Sequence, residues 1–205
     1  MSVASLDRGL ARHRAALSKC RACGDLVLGS IPIISLAKHP SIMLVGQAPG
    51  QVEKTDQRPF AGRAGKTLFK WISQAGLTEA EARDRIYIAA ITRCYPGPSP
   101  SGRGDRVPSP AEQKLCSRWL DAELDLIRPR VLIPVGRLAI DRFLGKVPLE
   151  QLIGRERVVE LRGFETSIVP LPHPSGASSW IHAPGHSALL GSAIDILRRY
   201  FTEER

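Results

Sequence analysis

No stretch of this 205-residue chain is apolar over anything near the roughly 20 residues that a membrane-crossing helix needs, so no membrane span is expected. The opening segment MSVASLDRGLARHRAALSKC lacks an apolar centre and carries Arg8, Arg12, Arg14 and Lys19. It predicts an amphipathic helix rather than an export signal. Internal repeats and low-complexity linkers are missing too. With 43% apolar and 24% charged residues, a single globular domain over residues 1–205 is expected. Acidic residues run short: 20 Asp+Glu against 29 Lys+Arg leave a net +9, which favours an anionic partner, nucleic acid foremost. Cysteine is scarce and unevenly placed, with Cys20 and Cys23 close together and Cys94 and Cys116 separated by 21 residues. A chain without an export segment has little use for disulfides, which shifts the bias to metal. The second close pair of a zinc ribbon is absent. One tight pair and two distant thiols suit an iron–sulfur cluster at least as well, because four-thiolate ligation requires only convergence in space. Four independent buried thiols are the plain alternative.

What is present is a series of short, continuous, β-branched runs separated by helical patterns. Strands are predicted at Ser41–Val45, Ile86–Ile91, Val131–Val135 and Ser167–Leu171. Ser109, Pro110 and Glu112 spell a helix start with a reciprocal cap, and Leu115, Trp119, Ala122 and Leu126 predict the core face of that helix. Further helices are predicted over residues 137–144 and 186–201, the last burying Leu189, Ile194, Leu197 and Phe201. Continuous strands with helices between them predict a three-layer α/β/α sandwich around a mainly parallel, four-stranded sheet. Ligands in such folds bind beyond the carboxyl ends of the strands. That rule selects GQAPG after the first strand, the AITRC region after the second and PHPSG after the fourth. The long irregular stretches Pro96–Pro108 and Leu171–Gly185 belong to the same rim and read as functional loops.

Gly62–Thr67 (GRAGKT) invites comparison with a phosphate loop, but a Walker A motif needs glycine at position 60, where Phe60 stands. A nucleotide hydrolase is therefore disfavoured. The segment remains a helix N-terminus whose amides suit a DNA phosphate, or else plain helix packing. The loop Gly46-Gln47-Ala48-Pro49-Gly50 is weak evidence alone. Followed by Glu53, by Arg58-Pro59-Phe60 and by Gly62-Arg63-Ala64-Gly65, and joined by His173-Pro174-Ser175, it becomes specific. In these motifs the chain resembles the uracil-DNA glycosylase superfamily, and within it the iron–sulfur-bearing branches (families 4 and 5). The order of Cys20, Cys23, Cys94 and Cys116 fits the cluster ligands of those branches.

The resemblance implies a monofunctional DNA glycosylase that everts uracil from DNA, hydrolyses its N-glycosidic bond and leaves an abasic site for base-excision repair. It implies a [4Fe–4S] cluster on the four cysteines, uracil- or abasic-site DNA as partner, a monomer, and a cytoplasmic, DNA-associated location. His173 is expected to stabilise charge developing on uracil O2, as an oxyanion donor does. Phe60 is expected to stack on the everted base, and Gly46, Ala48 and Ala90 to line its pocket. Arg63, Gly65, Lys66, Ser175 and Gly176 are the expected DNA contacts, with Arg58, Arg93, Arg103 and Arg106 as further phosphate candidates. Two departures stand out. Gln47 occupies the place of a usual glutamate, and an amide cannot take a proton although it can orient water. Ala90 occupies the place of a uracil-reading asparagine, which weakens discrimination and extends the expected substrates to deaminated purines such as xanthine or hypoxanthine. Glu53 is the retained carboxylate, expected to place water or stabilise the cation, with Asp56 a weaker candidate. Gly176 and Ala177 replace the bulky wedge often found after H-P-S, which leaves Trp180 or Ile181, or else weak wedging. Three rival classes remain: a module that captures uracil or abasic DNA without turnover, a zinc-stabilised adaptor, and the disfavoured nucleotide hydrolase.

Overall fold

A five-stranded sheet divides two separate cores. The computed structural model describes residues 2–24, 31–101, 104–175 and 179–202. In chain order its elements are α1 (Val3–Ser18), β1 (Ile42–Gly46), α2 (Gln51–Asp56), α3 (Arg63–Gln74), α4 (Glu79–Arg85), β2 (Ile86–Ala90), α5 (Pro110–Ile127), β3 (Val131–Pro134), α6 (Arg137–Leu144), β4 (Arg157–Leu161), β5 (Phe164–Ile168) and α7 (His186–Thr202). The strand order is β2-β1-β3-β5-β4, with β1, β2, β3 and β5 parallel and β4 antiparallel at the edge.

Side chains on successive strand residues point to opposite faces. Ile42, Leu44, Ile86, Ile88, Val131 and Ile133 join the core under α3, α4 and α7. Met43, Val45, Tyr87, Ala89 and Leu132 join the core under α1, α5 and α6. Both faces are covered, which is why the central strands read as unbroken apolar runs. Reciprocal caps at Thr78/Glu81 and Ser109/Glu112 fix the starts of α4 and α5 by satisfying amides that a helix leaves open.

Three sequence expectations need correction. The sheet has five strands rather than four, because β4 lies at the edge with Val158 60% exposed and offers no continuous apolar run. The strand expected at Ser167–Leu171 starts earlier, at Phe164, while its pairing with the β3 segment does continue to Leu171, through Val169 N–H to the Leu132 carbonyl at 3.0 Å, Leu171 N–H to the Pro134 carbonyl at 2.9 Å and a bridge between Val135 and Leu171. The buried face of α5 is Glu112, Cys116, Leu120, Glu123, Leu124 and Ile127, not the stripe through Leu115 and Trp119; Leu115 is 41% exposed. Two paired carboxylates occupy that inner face, so a search by apolar spacing lands one position off.

Candidate active site and cysteine chamber

The carboxyl ends of β1, β2 and β3 and the segment after β5 meet at one rim. There a cleft of about 680 Å³ opens, in the region where the chain leaves the neighbouring strands β1 and β3 for opposite faces of the sheet. Gly46, Gln47, Ala48, Glu53, Phe60, Arg63, Ala90, His173 and Ser175 all line it, although they come from segments far apart in sequence. Phe60 and His173 therefore share one cavity.

Phe60 is held in an unusual way. Its φ of 50° lies in the left-handed region, which a bulky residue enters only when its surroundings leave no alternative. Two glycines make room for it. A Cβ on Gly46 would stand 2.9 Å from the tip of the ring, and one on Gly65 would stand 1.9 Å from the Phe60 carbonyl oxygen. Gly65, expected as a DNA contact, is thus buried in packing against Phe60. Arg63 and Lys66 beside it are exposed, and Arg63 borders the cleft.

His173 is half-buried, and burial lowers its pKa below the ordinary 6.5. The Ser175 backbone N–H donates to Nδ1 at 3.2 Å, and Ser175 Oγ lies 2.9 Å from the same atom. An amide N–H only donates, so Nδ1 accepts and the neutral ring carries its proton on Nε2. A residue that lines the cleft thereby keeps Nε2–H as its ring donor. Gly136, at φ 82° after β3, permits this placement: a Cβ there would lie 2.8 Å from His173 Cδ2.

Glu53 caps its own helix and ties two loops together. Gly50 N–H donates to Oε2 and Gly62 N–H to Oε1, both at 2.9 Å. Asp56 is exposed and does not border the cleft. A second cleft carboxylate, Asp105, escaped sequence reading. Its Oδ2 lies 2.8 Å from where a Gly50 Cβ would stand, and it is hydrogen-bonded to the Tyr95 hydroxyl, whose pKa is raised by burial and by this carboxylate. The proline-rich loop reaches back to the cleft because Pro98 bridges to Asp105 and because Arg106 grips Glu112 through two hydrogen bonds of 2.7 and 2.6 Å. That grip, against the opposing effect of burial, lowers the Glu112 pKa to about 2. The only sequence signal for Asp105 was its place between Gly104 and Arg106 in a long loop on the expected rim.

Of the other expected DNA contacts, Arg58 is exposed, whereas Arg93 is 2% exposed and ion-paired with the fully buried Glu123. Gly176, Ala177 and Arg103 lie outside the described residues. Trp180 stacks on His186 with ring centroids 4.1 Å apart, and both Trp180 and Ile181 pack on the core beneath α7. Neither stands out as a wedge in this arrangement.

A second cavity, of about 180 Å³, is bordered by Cys20, Cys23, Cys94 and Cys116 together. Among the described residues, no three His, Cys, Asp or Glu side chains gather as a single metal ion requires. A chamber bordered by four thiols suits a larger group, since a four-iron cube spreads its thiolates wider than one tetrahedral ion. The donor set also fits sulfur carrying negative charge. Trp119 Nε1–H donates to Cys20 Sγ at 3.2 Å and the Arg93 N–H to Cys116 Sγ at 3.3 Å. Thr92 places at the same chamber a buried hydroxyl without a hydrogen-bond partner among the described residues. Burial alone would raise the Cys20 pKa, but the Ala22 N–H, Trp119 and Arg118 together bring it below the ordinary value. Arg93 borders both cavities.

Comparison with known proteins agrees with this architecture. The family model described as Uracil DNA glycosylase superfamily matches residues 34–188. The type-4 uracil-DNA glycosylase of Sulfurisphaera tokodaii is 31% identical over 141 residues, which is 66% of this chain and 60% of that protein. The type-4 enzyme of Thermotoga maritima is 31% identical over 136 residues, 65% of this chain and 64% of that protein. The type-5 uracil-DNA glycosylase of Thermus thermophilus is 33% identical over 121 residues, 54% of this chain and 52% of that protein. The matches thus span less than two thirds of each of these relatives. A family model that runs from before β1 into α7, over loops that close around one cleft, decides the matter of kinship: the chain belongs to the uracil-DNA glycosylase superfamily.

Proposed function

We propose that this chain removes uracil from DNA by hydrolysing the N-glycosidic bond, with an everted base bound in the cleft between Phe60 and His173. The observation that carries this reading is the neutral imidazole whose Nδ1 is committed to Ser175, leaving Nε2–H as its donor in the cavity that the Phe60 ring borders. Stacking on Phe60 offsets about 1–3 kcal/mol of the few kcal/mol needed to evert a base. As the C1′–N1 bond breaks, its electron pair moves onto the uracil ring, and Nε2–H donates to O2. One such donor is worth roughly 2.7–4 kcal/mol. A water oxygen bonds to C1′ and releases its proton to a carboxylate.

Asp105 is the better placed for that proton. Both Glu53 oxygens accept backbone amides, so Glu53 acts mainly by holding the Gly50 and Gly62 loops in register. Gln47 orients water or base rather than taking a proton. Ala89 and Ala90, with no side-chain amide on this stretch of the pocket wall, favour residual excision of hypoxanthine or xanthine. Arg63 and Lys66 reach phosphates along the rim. Cys20, Cys23, Cys94 and Cys116 would hold a [4Fe–4S] cluster whose contribution is to tie α1, the segment after β2 and α5 together. The protein is expected to work as a monomer on duplex or single-stranded DNA.

The test uses a uracil-containing oligonucleotide followed by alkali. Wild type gives strand breaks over many turnovers, and His173→Asn lowers single-turnover breakage by about 100–1000-fold with unchanged circular dichroism. A retarded complex without breaks would replace this reading with DNA capture, and an unaltered rate in His173→Asn would remove the histidine from the mechanism.

A further inference from the structure

We infer that Arg83 is a positioning residue that holds the Phe60 platform in its strained conformation. The inference rests on the proposed stacking role of Phe60 for its catalytic consequence, but not for its structural one. A bulky side chain at φ 50° does not stay there by local preference, so something must fix the peptides on either side. Arg83, on α4, does this with two hydrogen bonds. Nη1 donates to the Pro59 carbonyl at 2.7 Å and Nη2 to the Phe60 carbonyl at 3.1 Å. These are consecutive carbonyls, and the planar fork of one guanidinium reaches both, which the single ammonium of a lysine does not reproduce.

The guanidinium is itself held on two sides. Its Nε donates to Glu79 Oε1 at 2.8 Å, one turn earlier on α4, and its Cζ lies over the buried Phe69 ring, 4.3 Å from the centroid. Phe69 belongs to α3, the helix whose first turn accommodates the Phe60 carbonyl over Gly65. The clamp therefore references the platform to α3 and α4 rather than to the loop that carries it. The guanidinium stands behind the cleft wall: Arg83 is not among the residues that border the cavity, while Pro59 and Phe60, whose carbonyls it holds, both are. Its route to base removal is accordingly through the two peptides that flank Phe60.

A double-substitution cycle separates this from ordinary stabilisation. Arg83→Met and Arg83→Lys are each made in wild type and in Phe60→Gly, where glycine adopts the left-handed conformation without a clamp. In the wild-type background, Arg83→Met is expected to slow single-turnover uracil excision at least tenfold, and Arg83→Lys to recover little of the loss. In the Phe60→Gly background, already slow, Arg83→Met is expected to cost less than a further twofold. A tenfold loss repeated in that background would overturn the proposal. The melting temperature gives a second readout that needs no catalysis. The drop caused by Arg83→Met should shrink by at least half once position 60 is glycine, and an equal drop in both backgrounds would also overturn it. Should wild type fail to cleave uracil DNA, the glycosylase reading fails, and the melting cycle still decides the clamp.

Discussion

At the scale of single residues, the proposed mechanism depends on one imidazole being neutral and on the space left beside it. Because burial depresses the His173 pKa below 6.5, the neutral ring prevails from neutral pH upward and is lost as the pH falls through the depressed value. Protonation at Nδ1 would set two N–H groups against each other, since the Ser175 amide already points there. Single-turnover excision should therefore be flat from neutral to mildly alkaline pH and decline on the acid side. A rate that climbs on acidification would mean the imidazolium is the active form. Gly136→Ala tests the space. Its methyl would collide with the His173 ring and would also strain a backbone at φ 82°. A displacement near 1 Å is expected to slow excision by about 100-fold while DNA affinity changes little. The glycine has no chemistry of its own, so nothing in the local sequence marks it as part of the machinery.

Elements show where reading from sequence succeeds and where it stops. Strands β1, β2 and β3 were legible because both their faces are buried, and the start of α5 was legible because Ser109, Pro110 and Glu112 form a local cap. The inner face of α5 was not, because it carries two buried carboxylates, Glu112 with its local partners Ser109 and Arg106, and Glu123, whose partners come from elsewhere in the chain. Glu123 takes the Tyr87 hydroxyl at 2.8 Å, has His13 Nε2 at 2.9 Å, and pairs with Arg93. No periodicity announces a buried acid whose partners are 30 to 110 residues away. Asp105 was missed for a related reason: a flexible-looking, proline-rich segment becomes a fixed arm only once Arg106 finds Glu112. That arm has its own pH signature. A carboxyl whose pKa is lowered to about 2 adds stability in full above the ordinary carboxylate value of ~4.3 and loses it as the pH falls towards 2. Melting curves of wild type and Glu112→Gln should differ most above pH 5, less at pH 3, and converge at about pH 2. A gap that stays constant across that range would show that the charge on Glu112 contributes nothing to holding the arm.

For the whole molecule, the cleft and the cysteine chamber are separate cavities with separate predicted signatures. Cys116→Ala should abolish the broad visible absorbance of an iron-loaded preparation and lower the melting temperature by on the order of 10 °C, as expected when a metal group contributes to folding. Preparations that are colourless, or that lose colour without any change in melting, would remove the cluster from the account of stability. Between the two cavities stands Arg93, whose amide faces a thiol and whose side chain runs down to Glu123. The two cavities therefore share a wall only about one residue thick. If the chamber holds iron and the cleft a base, as proposed, an oxidant that dismantles the inorganic core would loosen that wall and silence base removal while most of the protein is still folded.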